Sequence, residues 1–165
     1  MNRIKVNHEF GPLYDNDSRI LILGSFPSVK SRQQAFYYGH KQNRFWKLVS
    51  DLLNEEMPMT IEEKKSMLLR NHIALWDVIE SCTIIGSSDS SIEDVKVNDV
   101  AGLIRKTNIK KIYLNGNKAY DLYQKYLRNE TGVEGIKLPS TSPANATCNY
   151  AKLRESWNTI LEDLK

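Results

Sequence analysis

The feature that most constrains the fold of this chain is a short apolar run, Ile20-Leu21-Ile22-Leu23, which ends at the turn Gly24-Ser25-Phe26-Pro27-Ser28. The run is too short and too continuously apolar for an amphipathic helix, and the glycine and proline stop it. It is typical of a parallel strand that is buried on both faces of a sheet. Ligands of open α/β sheets bind outside the carboxyl ends of such strands, so we expect a crevice at this turn.

Three more strands are predicted further along the chain, at 73–76, 111–114 and 136–138. Helical spacing or capping signals separate them and predict helices at 44–53, 60–69, 99–106, 118–128 and towards the C-terminus. This alternation predicts a single domain, 1–165, that folds as a three-layer α/β/α sandwich around a four-stranded parallel sheet. Residues 1–17 are predicted to be an irregular lead-in without chemistry, and residues 86–91 a flexible polar loop.

Composition limits the class of protein. The N-terminus lacks an apolar signal-peptide core and no apolar run is long enough to span a membrane, so we expect a cytoplasmic protein. Cys82 and Cys148 are far apart, and we expect neither a disulfide nor a cysteine-based cluster. The histidines, at positions 8, 40 and 72, lack the spacing of metal ligands. We therefore expect no metal and no cofactor.

Acidic residues are absent from two windows of the chain. No Asp or Glu occurs at 18–50, which holds six cations, or at 135–154, which holds three, although the formal net charge is only +3. If both windows lie on one rim of the sheet, they form a positive face of the kind that nucleic acid requires. Basic loops are also common as plain solvated surface, so charge alone leaves the two interpretations open.

Three motifs, each following a predicted strand, carry a family resemblance. They are the turn 24–28, the stretch 38–46 that leads into the next helix, and the loop 140–145. Together they resemble the uracil-DNA glycosylase superfamily, and within it most closely the hypoxanthine (deoxyinosine) DNA glycosylases. The resemblance covers nearly the whole chain. It implies a monofunctional glycosylase, without metal or cofactor, that acts as a monomer on DNA containing a deaminated base.

The resemblance also implies roles for particular residues. Asn43 would orient the attacking water, Asp77 would read the base edge or activate water, and Tyr38 would stack on the flipped base. Other predicted substrate contacts are Gly24, Ser25, Phe26, Pro27, Ser28, His40, Ser142 and Asn145. Predicted DNA contacts are Lys30, Arg32, Lys41, Arg44, Ser140, Pro143 and Ala144, and 140–145 would be the loop that inserts into the duplex.

Three positions depart from the family pattern. Phe26 stands where uracil-directed members carry a water-activating Asp or Asn, and its replacement here is Asn43. Ser140 stands where they place a His that stabilises the leaving base, so we do not expect efficient uracil excision. Ala144 occupies a wedge position that usually holds a larger side chain, which leaves insertion to the loop backbone and Asn145.

Each assignment has a structural alternative. Asn43 precedes a helix and is equally suited to cap it, and an acid at a strand end such as Asp77 often caps a turn. Tyr37 competes with Tyr38 for the crevice, and His40 could serve the base or link the loops.

Other functions fit the sequence as well. Besides a hypoxanthine glycosylase with xanthine or uracil as further substrates, the chain suits a mismatch-type uracil or thymine glycosylase, or a silent nucleic-acid-binding module. A small-nucleotide-binding protein is disfavoured because Walker and Gly-x-Gly-x-x-Gly motifs are missing. No lysine in the motifs is placed as a Schiff-base nucleophile, so strand cleavage is not expected.

Overall fold

The computed structural model describes residues 2–165 and contains two sheets. The strands are β1 (Ile4–Asn7), β2 (Ile20–Gly24), β3 (Ile73–Asp77), β4 (Ile79–Ile84), β5 (Glu93–Val97), β6 (Lys111–Asn115) and β7 (Gly135–Leu138). Four of them form a parallel sheet in the order β3-β2-β6-β7. This sheet confirms the predicted fold class and all four predicted strands.

The central strand β2 is fully buried because helices cover both faces of the parallel sheet. Ile20 and Ile22 point into one apolar core, and Leu21 and Leu23 point into another on the opposite face. The first core is closed by α2 (Phe45–Leu52), α3 (Ile61–Arg70) and α7 (Tyr150–Trp157). The second is closed by α4 (Val100–Arg105), α5 (Asn117–Tyr126) and the second sheet.

The second sheet is antiparallel, has the strand order β1-β4-β5, and was not predicted from the sequence. The expectation of an irregular lead-in at 1–17 is wrong, because β1 pairs along its whole length with β4. Leu13 also pairs with Leu75 as an isolated bridge and is buried. The lead-in is therefore fixed beside the carboxyl end of β3.

Side-chain caps account for several helix starts. Thr60 accepts a hydrogen bond from the Glu63 amide at the start of α3, as the capping-box pattern predicts. Short helices α1 (Val29–Gln34) and α6 (Arg128–Thr131), together with 3-10 turns at Asp89–Ser91 and Asn158–Leu164, complete the chain. The polar loop predicted at 86–91 thus contains a helical turn.

Candidate active site

A cavity of about 110 Å³ opens where the strands of the parallel sheet end. The last residues of β2, β3 and β6, which are Gly24, Asp77 and Asn115, all line it. The chain leaves β2 towards β3 on one side and later returns to β6 on the other side, so the cavity lies at the topological switch point. The crevice predicted from the first apolar run is confirmed.

The two acid-free windows, 18–50 and 135–154, meet at the cavity, and Thr141 joins them. This residue is fully buried and exchanges two hydrogen bonds with the Asn115 side chain, at 3.0 and 3.1 Å. Its carbonyl accepts a hydrogen bond from the Arg44 amide at 3.0 Å. The end of β6, the loop after β7 and the start of α2 are therefore held as one unit.

Asn43 lies on the cavity wall and also holds the first amide of α2, the helix whose N-cap residue is Arg44. Its Oδ1 accepts a hydrogen bond from the Phe45 amide at 3.0 Å, which fixes the carboxamide at the start of α2. Its Nδ2 makes no hydrogen bond to any residue in the described range 2–165. A carbonyl oxygen can accept two hydrogen bonds, so this fixed amide keeps acceptor and donor capacity for a ligand or water. The two interpretations of Asn43 are compatible.

Asp77 is paired with a histidine from the lead-in. The Oδ2 atom lies 2.8 Å from His8 Nε2, and the two side chains are only 4% and 1% exposed. The Oδ1 atom faces Gly24, which also lines the cavity, and has no hydrogen-bond partner within residues 2–165. Sequence reasoning missed His8, because nothing near it in the chain signals burial against a strand end 69 residues away.

Three aromatic side chains, Phe26, Tyr37 and Tyr38, line the cavity. The Tyr38 ring stacks on Phe45 with 4.2 Å between ring centroids, so one of its faces is already covered. Its hydroxyl is buried without a partner in the described chain, whereas the Tyr37 hydroxyl donates to the Gly11 carbonyl at 2.7 Å. Burial, reinforced by the nearby Asp77, raises the pKa of Tyr37 and Tyr38, so both hydroxyls stay protonated. Stacking of Tyr38 on a base stays a prediction.

A second carboxylate, that of Asp89, lies on the cavity wall and was also missed in the sequence. Its Oδ1 accepts a hydrogen bond from the Ser25 hydroxyl at 2.8 Å. The residue as a whole is exposed, but protein surrounds its carboxyl group closely enough to raise the pKa, against the lowering effects of Ser25 and Lys118. Nothing in the Ser-rich stretch around Asp89 distinguishes it from an ordinary polar loop.

The described lining of the cavity includes two carboxylates and no Lys or Arg. The predicted DNA contacts lie around it. Lys30 and Lys41 are exposed, whereas Arg32 donates to the carbonyls of Pro27 and Gly86, both at 3.1 Å. The predicted cationic rim is thus an outer surface, and the inner cavity suits an uncharged or cationic group rather than phosphate.

Arg44 is predicted to contact DNA, yet in the structure its guanidinium holds the loop after β7. It donates to the carbonyls of Ser142, Asn145 and Cys148, at 3.4, 3.1 and 2.5 Å. His40 does not line the cavity, and its Nδ1 accepts from the Gln42 amide at 3.1 Å. Any contact of either residue with substrate stays a prediction.

The loop after β7 folds back on itself through its own side chains. The Ser140 and Ser142 hydroxyls accept hydrogen bonds from the amides two residues on, and the Asn145 side chain donates to the Ser140 carbonyl at 3.0 Å. Ala144 is exposed and, with Asn145, lines an outer groove beside the cavity. Pro143 lines neither space. Insertion into a duplex by this loop stays a prediction.

Residues 2–165 contain no cluster of three or more His, Cys, Asp or Glu side chains that could hold a metal ion. Both cysteines are free. None of the helices in that range is long and apolar enough to cross a membrane.

Substituting Gly24 by Ala is expected to slow catalysis by about 100-fold, because misplacing a reacting group by about 1 Å can cost that much. The new Cβ would lie 2.4 Å from Asp77 Oδ1 and 3.2 Å from the Tyr38 hydroxyl. His8 holds the carboxyl group, so it cannot simply move aside. Gly11→Ala is the matched control, since nothing lies within 4 Å of its Cβ. Equal single-turnover rates for the two variants would contradict the prediction.

The fold and the site together define an α/β protein with a small polar cavity at the switch point of its parallel sheet. The profile of the Uracil DNA glycosylase superfamily matches residues 12–165. The chain therefore belongs to this superfamily.

Individual relatives agree with that assignment. The chain is 39% identical over 158 residues to a hypoxanthine DNA glycosylase of Methanosarcina acetivorans, which covers 94% of this chain and 98% of that protein. It is 36% identical to a hypoxanthine DNA glycosylase of Methanosarcina barkeri, covering 82% and 86% of the two chains. The solution NMR structure of a candidate uracil DNA glycosylase from M. acetivorans superposes with a TM-score of 0.81 at 38% identity, covering 94% and 96%.

Proposed function

We propose that this protein is a monofunctional DNA glycosylase that flips a deaminated base, hypoxanthine first, out of DNA and hydrolyses its N-glycosidic bond. The observation that carries the proposal is the cavity at the strand ends, which both Asn43 and Asp77 line. Membership of the superfamily and the relatives named hypoxanthine DNA glycosylases support it.

The chemistry matches the residues in the cavity. Cleavage of an N-glycosidic bond develops positive charge on the sugar and negative charge on the departing base. The enzyme must extrude the nucleotide, position a water at the sugar carbon and receive the base. Asn43, fixed by its bond to the Phe45 amide, would position that water. In a dissociative reaction such positioning supplies much of the acceleration.

Asp77 provides a reason for rejecting adenine and cytosine. Deamination of adenine turns ring nitrogen N1 from an acceptor into an N–H donor, and the same change occurs at N3 when cytosine becomes uracil. The Oδ1 atom, as a carboxylate oxygen, can accept from such an N–H but repels an acceptor nitrogen. His8 occupies the other oxygen and so leaves Oδ1 to face the base. This feature disfavours adenine and cytosine and admits hypoxanthine, xanthine and uracil, but guanine and thymine carry the same ring N–H and are not distinguished by it.

A module that only binds phosphate is less consistent with the cavity. Phosphate recognition uses cations or clustered amide donors, whereas Asp77 and Asp89 would repel it. The exposed lysines of the rim remain suited to the DNA backbone. We therefore assign the cavity to the base and the rim to the phosphates.

Base release should be measured in single-turnover assays on duplexes that contain inosine, xanthine, uracil or ethenoadenine. We expect the fastest release from inosine and an intact abasic strand as the product. A faster rate on uracil would favour the mismatch-type uracil glycosylase, and binding without release from any substrate would favour the silent module. Borohydride trapping of the protein on DNA would contradict a monofunctional mechanism.

We further propose that residues 1–165 act as one domain and as a monomer, in the cytoplasm, without metal or cofactor. Both apolar cores share the same parallel sheet, which supports a single folding unit. Sedimentation of the protein alone and bound to inosine-containing duplex tests the monomer, and base release in the presence of EDTA tests independence of metal.

A further inference from the structure

We propose that Asp89 is a second catalytic residue, the carboxylate that takes the proton from the attacking water and faces the positive charge on the sugar. The inference rests on the proposed function and adds to it a residue that lies outside the motifs by which the family resemblance is defined.

The position of Asp89 relative to two neighbouring spaces carries the argument. The inner cavity, which we assign to the base, adjoins an outer groove of about 570 Å³ that Lys118, Ala144 and Asn145 help to line. A flipped nucleotide has its base in the first space and its sugar and phosphates towards the second. Residues that line both spaces must lie at the level of the bond between base and sugar.

Three residues line both spaces, namely Asp89, Ser140 and Ser142. The two serine hydroxyls are already engaged with amides of their own loop. Asp89 is the carboxylate of the set, and the Ser25 hydroxyl holds its Oδ1 at 2.8 Å. Its Oδ2 makes no hydrogen bond to another described residue and is free to accept from a water molecule.

This placement also accounts for the phenylalanine at position 26. Phe26 cannot polarise water, so the first loop lacks an acid of its own. The hydrogen bond from Ser25 brings an acid from the turn Asp89–Ser91 to the same loop. A fold can supply one chemical group from different chain segments as long as the group reaches the same place.

The step balances with water as the only co-reactant. The bond between C1′ and the base nitrogen breaks, and its electron pair leaves with the base. Water, oriented by Asn43, adds its oxygen to C1′ and gives one proton to the Asp89 carboxylate. That proton is then returned through solvent to the departing base. Next to the sugar, the negative charge of Asp89 also stabilises the oxocarbenium-like transition state.

Asp89→Asn separates this role from a structural one. The amide oxygen of Asn can still accept the Ser25 hydrogen bond, so the turn stays in place while the charge and the proton acceptor are lost. We expect the single-turnover rate on inosine duplex to fall by about 100-fold, with unchanged thermal stability and unweakened DNA binding. Asp94→Asn is the matched control, because the exposed Asp94 lines neither space and likewise accepts a hydrogen bond from a hydroxyl group, that of Thr83 at 3.1 Å.

The pH dependence gives a second readout. The charged or polar groups that face Asp89 are Ser25, Lys118 and Asp77, and burial is the largest influence and raises the pKa of the carboxyl group. Activity that needs the carboxylate is lost as the pH falls through this raised value, above the ordinary aspartate value of about 3.9. The acidic limb that belongs to Asp89 should be absent in Asp89→Asn and present in Asp94→Asn.

The outcomes distinguish a failure of the role given to Asp89 from a failure of the proposed function. An active wild type with an equally active Asp89→Asn variant would overturn the catalytic role of Asp89 and leave the proposed function standing. A rate loss shared by Asp94→Asn would also overturn it, because a general effect of removing one negative charge from the protein would then suffice. A wild type that releases no base from any substrate would overturn the proposed function itself.

Discussion

Replacing Asn43 by Ala is expected to slow the release of hypoxanthine by about 1000-fold, the upper range for loss of one preorganised polar group in an active site. The truncated side chain can no longer orient water at the cavity wall. Duplex binding should persist, since the basic rim does not involve this amide. Single-turnover base release and a fluorescence binding titration measure the two properties separately.

The variant also removes a hydrogen bond at the start of α2, and this effect on stability must be separated from catalysis. Loss of the bond between Asn43 Oδ1 and the Phe45 amide should cost about 1 kcal/mol of stability. Thr60→Ala is a matched control, since it removes the cap of α3, which packs outside the cavity. We expect a similar loss of stability in this variant with normal base release. A near-normal rate for Asn43→Ala would remove Asn43 from the mechanism.

Replacing His8 by Leu is expected to lower the free energy of unfolding by about 3 kcal/mol, the upper range for leaving a buried polar group without its hydrogen-bond partner. His8 Nε2 is the side-chain partner that the described structure provides for the Asp77 carboxyl group. Its removal leaves a buried acceptor unsatisfied. Denaturant unfolding followed by tryptophan fluorescence measures the change.

His8→Gln tests whether the histidine also positions the reacting groups. The glutamine amide can donate to Asp77 Oδ2, so most of the stability and the preference for inosine over adenosine should return. In His8→Leu, assayed well below its unfolding temperature, Asp77 can turn and the discrimination between the two bases should decrease. Full discrimination in the folded His8→Leu variant would restrict His8 to a structural role.

The parallel sheet could be predicted because its strands are apolar on both faces. The side chains from Ile20 to Leu23 point alternately into the two cores. A run this short that is apolar at every position is typical of a parallel strand buried on both faces. The antiparallel sheet could not be predicted in the same way. Its outer strands β1 and β5 are largely exposed, so neither has a strong hydrophobic signal. The pairing of β4 with β5 also contains register shifts, which interrupt the alternation of the side chains.

The residues of the site likewise fall into a group that could be predicted from the sequence and a group that could not. Gly24, Asp77 and Asn43 follow or precede elements with clear boundaries, so their convergence could be expected from the rule for strand ends. Asn115 ends the third parallel strand and could have been found by the same rule. His8 and Asp89 could not, because their places depend on the antiparallel sheet and on contacts with residues 69 and 64 positions away.

The guanidinium of Arg44 donates hydrogen bonds to three backbone carbonyls of the loop after β7. The backbone amide of Arg44 donates a fourth, to the carbonyl of Thr141 in the same loop. A loop tied down in this way has lost its conformational freedom during folding of the protein. Binding to the duplex therefore does not have to supply the entropy cost of ordering this loop. We expect the loop after β7 to keep its shape when the protein binds a damaged site. The distortion needed to expose a base then has to come from the DNA.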